Sequence, residues 1–422
     1  MSEVVIRTPA GSPSRIATSA GPWDSPAVIQ RSIQRFFQTA PCPITGGVAH
    51  HGRVEEAAGW AIDPDTLQPV LTDRQRISRT LASAAPAERL FLLPLLGQLD
   101  RAFVESEVLL QDPQVRRDPW QALLMTAELH RWREEPQATD RLLTAAWKHA
   151  RSRSRQASTL QLLGRRRFQH RELDLAACCF ELALTMRRGF GEPQLVASSE
   201  SALSRTRELL GYDAIVLAGG QGVRLGGSQG GSKASIPLAG WPLVDHVLLA
   251  VSGAGRRIVV GPNRIALGSP VFCREQPAGG GPVAAIAEAA GRVRQPTVAV
   301  LAADLPFIGP ALASLRQCVT LTGQDAGVLV DLTGRRNYLA SVWRTSSLLQ
   351  ALDRLGDPAG LPMRALYQGL AIATVPDFDA DGADVDTPAD LHSAQQRITH
   401  RTPGQLPAAL LAWPRLELHA PS

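Results

Sequence analysis

The chain has 422 residues, with 44 Lys and Arg against 39 Asp and Glu, and a formal net charge of +5. At 44% hydrophobic and 20% charged residues, it has the composition of a globular protein of two or three domains, which excludes a fibrous or disordered chain. No apolar run approaches the length of about 18 residues that a membrane helix needs. The opening stretch, MSEVVIRTPAGSPSR, lacks the apolar segment of a secretory signal. We therefore expect a cytoplasmic protein without a membrane partner.

The positive charge does not point to nucleic acid. Nearly all basic residues are arginine, the only lysines being Lys148 and Lys233, and heavy arginine use can reflect a GC-rich genome. No basic run is interleaved with aromatic residues, as a single-strand binder requires. The cysteines form no C-x-x-C pair, so we expect them to be reduced and structural. They are Cys42, Cys178, Cys179, Cys273 and Cys318.

The first half of the chain is predicted to be helical. Residues 1–25, rich in Ser, Pro, Gly and Ala, are expected to be a flexible tail. Residues 26–208 are expected to form a helical domain, because apolar residues recur three and four positions apart, as at Leu123, Ala127 and His130. Prolines divide this pattern into single helices.

One segment, LQLLGRRRFQHRELDLAACCFELAL, resembles a tetratricopeptide repeat. The residues that match the repeat pattern are Leu160, Leu163, Gly164, Ala176, Phe180 and Ala183. Arg167 stands where an aromatic residue is expected, and a plain helical bundle remains an open alternative. Stacked helix pairs often present a concave face to a partner, so the domain is predicted to bind another protein, which the sequence does not identify.

At Tyr212 the pattern changes to short apolar runs that alternate with helix-like segments. This alternation predicts an α/β domain over residues 209–400, with a mostly parallel, Rossmann-like sheet covered by helices on both faces. Ligands bind such sheets at the carboxyl ends of the strands. Residues 401–422 are expected to be a C-terminal tail. The predicted strands are DAIVL (213–217), RRIVVG (256–261), TVAVLAAD (297–304), AGVLVD (326–331) and AIATVPD (371–377).

The first predicted strand runs into a glycine-rich loop, LAGGQGVRLGG. Gly219, Gly220 and Gly222 would let backbone N–H groups approach phosphate oxygens, and Arg224 would add a permanent cation. The spacing is neither that of a P-loop nor that of a convincing dinucleotide-binding motif. By itself the loop is equally compatible with an ordinary strand-to-helix turn.

Carboxylates follow two further segments. In LAADLPFI, an apolar strand ends at Asp304; burying that carboxylate unpaired would be costly, and Mg2+ prefers one or two carboxylates together with phosphate oxygens. In GADVDTPADL, Asp386 is predicted to be the second metal ligand, with Asp384 orienting it. Thr387 and Pro388 are expected to begin a helix as its N-cap and first residue. Helix capping alone is the alternative for both carboxylate segments.

Together these motifs resemble a known family. AGG-x-G-x-R-[LM] followed by a lysine is the signature of pyrophosphorylase-like nucleotidyltransferases, and the downstream motifs are similar to those of the molybdenum cofactor guanylyltransferase family over about 210–400. The resemblance implies that Lys233 reaches the nucleotide phosphates and that Asp304 holds Mg2+. Two departures are evident: the loop before Lys233 is about three residues longer than usual, and Ser232 replaces an acidic residue.

The resemblance also implies weaker assignments. GGGPVAAI resembles a family loop beside the nucleotide, Asn263 and Glu275 match family nucleotide contacts, and NYLASVWR resembles a strand beside the acceptor site. Tyr338 and Trp343 in that strand are as well explained as core residues, and His246 is expected to be structural. Arg224, Lys233 and Asp304 are the predicted catalytic residues. The predicted nucleotide contacts are Leu217, Ala218, Gly219, Gly220, Gly222, Arg224, Lys233, Asn263, Glu275, Gly281, Pro282 and Asp304.

The implied reaction is transfer of GMP from GTP to molybdopterin or the molybdenum cofactor, with release of pyrophosphate. Leu217–Gly220 reads L-A-G-G, whereas the related cytidylyltransferases typically read L-A-A-G, so GTP is favoured over CTP. Another acceptor, CTP, or a non-catalytic nucleotide-binding scaffold remain alternatives.

Overall fold

The computed structural model describes residues 59–190, 193–220 and 232–400. The predicted tails 1–25 and 401–422 lie outside these residues, as do Gly222 and Arg224. The first described segment is a short hairpin that the sequence did not reveal, followed by a succession of helices. Its elements are β1 (Trp60–Ile62), β2 (Pro69–Leu71), α1 (Arg74–Ser83), α2 (Pro86–Leu95), α3 (Leu99–Gln111), α4 (Pro113–Arg117), α5 (Trp120–Trp132), α6 (Pro136–His149), α7 (Arg153–Gln169), α8 (Leu173–Phe190) and α9 (Pro193–Leu210).

Most of the prolines in this region mark helix starts, as their distribution predicted, but Pro94 lies inside α2, near its C-terminal end. Pro86, Pro113 and Pro136 each stand in the first turn of a helix, where a missing N–H removes no intrahelical bond. Asp73 and Ser152 cap α1 and α7 through their side chains. None of the helices that the structure describes is long and apolar enough to cross a membrane.

The segment that resembles a tetratricopeptide repeat forms two packed helices, α7 and α8. Gly164 lies against Phe180, because a Cβ at position 164 would stand 2.4 Å from a ring carbon of Phe180. Phe168, one residue beyond the expected aromatic position, is buried with Phe180. The close approach of two helices at a small residue is as expected, while membership of a repeat family stays a prediction.

The second region is α/β, as predicted. Its seven-stranded sheet has the order β11-β9-β10-β8-β3-β6-β7, parallel except for β10, which pairs antiparallel with β8 and β9. The strands are β3 (Tyr212–Leu217), β6 (Arg257–Val260), β7 (Val271–Cys273), β8 (Thr297–Ala302), β9 (Ala326–Val330), β10 (Arg336–Arg344) and β11 (Ile372–Pro376). The remaining elements are β4 (Pro237–Leu238), β5 (Trp241–Pro242), α10 (Leu243–Ala250), α11 (Gly281–Ala290), α12 (Gly309–Thr322), α13 (Thr345–Leu355), α14 (Met363–Leu366) and α15 (Pro388–His400).

The helical region and the sheet region share a hydrophobic core that runs from Trp60 to Val342. Helix α8 forms much of the junction: Cys178 Sγ lies 3.1 Å from the backbone oxygen of Leu249 on α10. Asp174 on the same helix pairs with Arg316 of α12 at 2.5 Å. The helices therefore support the elements that flank the sheet rather than standing apart from it.

Candidate active site

The glycine-rich loop and Asp304 emerge at the same edge of the sheet. Strands β3 and β8 are parallel neighbours, with Leu217 opposite Ala302. Gly219 and Gly220 follow the first strand and Asp304 follows the second. Since carboxyl ends of neighbouring parallel strands meet at one edge, this placement agrees with the prediction.

Lys233 joins the glycine loop to both predicted metal ligands. Its backbone N–H donates to the carbonyl of Gly220 at 3.0 Å, which holds the lysine beside the end of β3. Its ammonium donates to Asp304 Oδ2 and to Asp386 Oδ1. A lysine, a strand-end aspartate and an aspartate from the far end of the chain thus converge on one point.

The charges of this cluster influence one another. Burial disfavours the charged form of Lys233, but its hydrogen bonds to Asp304 and Asp386 outweigh burial and raise its pKa. Burial, together with the charges of Asp386 and Asp304, raises the pKa of Asp384. Asp384 therefore lies within electrostatic reach of the cluster without binding Lys233 directly.

Hydrogen bonds on both sides of Asp386 hold the GADVDTPADL segment in place. The N–H of Val385 donates to the carbonyl of Asp304 at 3.1 Å, which holds the two segments together. Thr387 caps α15 by accepting from the N–H of Asp390 at 3.2 Å, and the Asp390 carboxylate accepts from the N–H of Thr387 at 2.7 Å. This reciprocal cap confirms the predicted start of the helix at Pro388.

The donor set fits a divalent cation in part. Asp304 and Asp386 face a common cation, the ammonium of Lys233, and Asp304 Oδ1 is buried with no hydrogen-bond partner among the residues that the structure describes. Within those residues no group of three or more His, Cys, Asp and Glu side chains forms a metal site. Two carboxylates supplemented by phosphate oxygens match the preference of Mg2+. Capping does not explain Asp304, because Ile308 is the N-cap of α12.

The sequence reasoning missed Arg264. Its guanidinium donates to Ser235 Oγ at 2.7 Å and to Ser232 Oγ at 3.1 Å. Ser232 also donates to the carbonyl of Ala218, 3.3 Å away. The serine that replaces the family's acidic residue is therefore bound on both sides, and Arg264 holds the short 3-10 turn that begins at Lys233. The one feature of the sequence that could have indicated Arg264 is its position after strand β6, next to Asn263.

The weaker assignments that the resemblance implies have different outcomes in the structure. Gly281 and Pro282 begin α11, as predicted. Asn263 is exposed and stays a predicted nucleotide contact. The carboxylate of Glu275 accepts from the N–H of Gly279 at 3.2 Å, so it closes its own loop.

A cavity of about 600 Å3 lies beside the cluster, with Asp384 in its wall. Tyr338 lines it, and so do Arg336 and Phe378, a residue that is 74% exposed. Trp343 is fully buried and donates to Ser341 Oγ at 3.0 Å, which makes it a core residue.

His246 is structural, as expected from its place in a helix. It is buried in α10, and its Nε2 lies 2.9 Å from the carbonyl oxygen of Leu238. Burial lowers the pKa of His246 to about 4.

A family model described as the MobA-like NTP transferase domain matches residues 214–373. A molybdenum cofactor guanylyltransferase from Rhodobacter capsulatus is 33% identical over 203 residues, which cover 45% of this chain and 97% of the relative. One from Acidiphilium cryptum is 30% identical over 197 residues, 43% of this chain and 93% of the relative. A solved structure, molybdopterin-guanine dinucleotide biosynthesis protein A from Archaeoglobus fulgidus, is 22% identical over 44% of this chain and 97% of its own, with a TM-score of 0.35.

A mostly parallel sheet with a glycine loop, a lysine and two aspartates at its carboxyl edge, matched by the family model, defines a nucleotidyltransferase domain. The identity and the coverage of the match to the Rhodobacter relative define the family more narrowly. The chain belongs to the molybdenum cofactor guanylyltransferase family of MobA-like NTP transferases.

Proposed function

We propose that the protein transfers GMP from GTP to molybdopterin or the molybdenum cofactor, releasing pyrophosphate and forming a guanine dinucleotide cofactor. The observation that carries the proposal is the convergence of Lys233, Asp304 and Asp386 at the carboxyl edge of the sheet. The relatives named for this activity support the choice of nucleotide and acceptor.

The residues suit a transfer that needs positioning and charge neutralisation rather than a covalent intermediate. The backbone at Gly219 and Gly220 would approach the triphosphate, and the ammonium of Lys233 would turn from the carboxylates to the phosphates. An acceptor phosphate is already anionic, so no general base is required. The described part of the cluster accordingly uses no histidine.

Asp304 and Asp386 would hold Mg2+, which neutralises phosphate charge when bound. The unpartnered Oδ1 of Asp304 offers an oxygen for this purpose. The ammonium of Lys233 contacts both carboxylates and offsets one of their two negative charges. Arg224, outside the described residues, remains the predicted second cation for the leaving pyrophosphate.

The cavity beside Asp384 is the proposed entry for the acceptor. Its volume of about 600 Å3 is within the range of roughly 300–1,000 Å3 typical of small-molecule sites. Phe378 and Tyr338 offer aromatic faces for a planar ring, while Arg336 offers a cation for a phosphate. A Phe378→Ala variant should raise the KM for the acceptor and leave the KM for GTP unchanged. Leu321→Ala, at a similarly exposed site on α12, is the control.

Two features motivate a non-catalytic alternative, a nucleotide-binding scaffold: the loop before Lys233 is longer than usual, and Ser232 lacks a charge. The bonds of Ser232 to Arg264 and Ala218 weigh against it, because they fix the residue next to the lysine.

The deciding experiment uses the full chain with GTP, CTP or ATP, with and without Mg2+, and measures nucleotide binding and pyrophosphate release on addition of molybdopterin. Of the three nucleotides, we expect only GTP to give pyrophosphate release, and only when both the acceptor and Mg2+ are present. Asp304→Asn should reduce the rate by about 100-fold or more, while Asp353→Asn, exposed on α13, should not. A preference for CTP would indicate a cytidylyltransferase, and binding without turnover would support the scaffold.

A further inference from the structure

A buried carboxylate of the helical region forms an ion pair with an arginine of the sheet. Glu181 of α8 is 1% exposed and accepts from Arg207 of α9 at 2.7 Å. The same oxygen lies 3.2 Å from Nη2 of Arg257, the first residue of β6. Both side chains of the Glu181–Arg257 pair are nearly closed to solvent, so the contact is fixed rather than a mobile surface pair.

Arg257 extends this contact to the loop between β6 and β7, which spans residues 261–270 and is called the β6–β7 loop below. Its Nη2 donates to the carbonyl of Gly268 at 2.6 Å. A Cβ at position 268 would collide with the guanidinium of Arg257 and would stand 2.5 Å from Glu181 Oε1. The backbone of the loop therefore lies directly against the ion pair.

The β6–β7 loop also holds the turn that carries Lys233. Arg264, earlier in the loop than Gly268, donates to Ser232 Oγ at 3.1 Å and to Ser235 Oγ at 2.7 Å. A continuous series of contacts thus runs from α8, through the ion pair and the loop, to the residues on either side of the lysine.

The helical region is an addition to the part of the chain that the relatives match. Nearly the whole length of each of the two guanylyltransferases compared above is matched by less than half of this chain, which leaves no room in them for helices α1 to α9. In this chain, however, one of those helices supplies the carboxylate that lies under the β6–β7 loop.

We propose that Glu181 is a positioning residue for the transferase site, acting through Arg257 and the β6–β7 loop on Lys233. Without its carboxylate, Arg207 and Arg257 would lose the negative charge that they share, and the repulsion between them would displace the loop. The kinetic consequences rest on the proposed function, whereas the effect on the loop does not. A contribution of Glu181 to stability alone is the competing explanation.

The kinetic test is a double-mutant cycle in the full chain. Glu181→Gln should lower kcat/KM for GTP by up to about tenfold, the loss expected for Arg264→Gln, because it acts through Arg264. In the Arg264→Gln background, Glu181→Gln should have little further effect on kcat/KM, while the losses of Tm should add. Kinetic losses that multiply would show that the two residues act independently and would overturn the proposal.

Asp174→Asn is the matched control, because it changes another carboxylate of α8 at the same junction. Asp174 pairs with Arg316 of α12 at 2.5 Å, so its partner lies outside the β6–β7 loop. The variant should lower Tm and leave kcat/KM for GTP unchanged. An equal kinetic loss in Asp174→Asn and Glu181→Gln would mean that any loosening of the junction slows the reaction, which contradicts a specific role for Glu181.

Hydrogen exchange of the chain without nucleotide tests the loop independently of any activity. The N–H of Lys233 donates to the carbonyl of Gly220 at 3.0 Å, and the N–H of Leu267 donates to Asp245 Oδ1 at 3.0 Å. In peptides that contain these amides, exchange should be several-fold faster in Glu181→Gln than in the wild type and in Asp174→Asn. Unchanged exchange would overturn the proposal. Faster exchange in a chain that transfers no nucleotide would instead refute only the proposed function.

A second variant covers the case in which Glu181→Gln fails to fold. Gly268→Ala places a methyl group between the loop and the ion pair, so it should reproduce both the kinetic loss and the faster exchange. Gly323→Ala is its control, because Gly323 has a similar φ of +66° against +71° for Gly268, and its Cβ would meet nothing within 4 Å. Equal exchange and equal kcat/KM in the two alanine variants would overturn the proposal.

Discussion

Arg264 is bonded to Ser232, with 3.1 Å between Nη2 and Oγ, so the loop after β6 holds the residue that precedes Lys233. The same guanidinium reaches Ser235 on the other side of the lysine. Both contacts bracket the side chain that joins Asp304 to Asp386. The position of the lysine therefore depends on a residue outside the glycine loop.

Replacing Arg264 with Gln should lower kcat/KM for GTP by about tenfold, because a hydrogen bond from a charged group contributes about 1.5–3 kcal/mol. The far-UV spectrum and Tm should change little, since Arg264 is only partly buried. Arg274→Gln is the matched control, because Arg274 is an exposed arginine directly after β7. Equal kinetics in the two variants would mean that Arg264 does not position Lys233.

Lys233 and a divalent metal should compete for the same carboxylates. Lys233→Met removes the ammonium from Asp304 and Asp386 and leaves two like charges facing each other, which favours a cation. Without nucleotide, the variant should bind Mg2+ about tenfold more tightly than the wild type by titration calorimetry, an effect of about 1.4 kcal/mol. Its nucleotidyl transfer should nevertheless be strongly reduced.

Lys148, the other lysine, provides the control for this prediction. It is exposed on α6, far along the chain from the cluster, so Lys148→Met should bind Mg2+ as the wild type does. If Lys233→Met and Lys148→Met showed the same affinity, the two aspartates would not be the metal ligands.

The position of each site residue in the chain determines whether its place in the site could be predicted from the sequence. Asp304 and the glycine loop were placed correctly because each ends an apolar strand, and parallel neighbours bring such ends together. The start of α15 was readable from Thr387 and Pro388. The bonds of Lys233 were not, because its partners lie 71 and 153 residues away, and a sequence does not specify which charges meet across such distances.

Other features left a weaker signal. Arg264 is one arginine among many, so its residue type carried little information. The β1–β2 hairpin escaped notice because its strands have three residues each, too few for an alternating pattern to be recognised. Its turn contains Asp63 and Pro64, and the carboxylate of Asp63 accepts from the N–H groups of Asp65 and Thr66 at 2.7 and 3.0 Å.

His246 should make the stability of the protein depend on pH below neutrality. Burial lowers its folded-state pKa from 6.5 to about 4, so between these values the unfolded chain binds more protons. Stability is therefore fully present above about pH 6.5 and falls as pH decreases toward 4, by about 3 kcal/mol in total. His246→Gln should flatten this part of the curve in urea unfolding measured from pH 7.5 to 4.

The control is His392→Gln, at an exposed position on α15, which should keep the wild-type slope. A slope that is unchanged in His246→Gln would show that other groups cause the pH dependence. Catalytic activity is not the readout here, because the side-chain hydrogen bond of His246 goes to the backbone of Leu238.

The contact between Gly164 and Phe180 should be intolerant of a single added methyl group. In Gly164→Ala the new Cβ would lie 2.4 and 2.6 Å from two ring carbons of Phe180, and because Phe180 is fully buried the ring has no free space to enter. Overpacking of this kind costs about 1–3 kcal/mol, measurable by urea unfolding. Gly189→Ala is the matched control on α8, where a Cβ would meet nothing within 4 Å; it should be neutral or stabilise by up to about 1 kcal/mol.

A double variant separates packing from helix propensity. If the clash is the cause, Phe180→Leu should reduce the cost of Gly164→Ala, because the smaller side chain leaves room for the methyl group, and the two changes should be non-additive by about 0.5–3 kcal/mol. Additive effects, or a stabilising Gly164→Ala, would show that α7 and α8 do not approach as closely as this contact requires. Since α8 also packs against α10 and α12, a loosened pair should lower the stability of the sheet region as well.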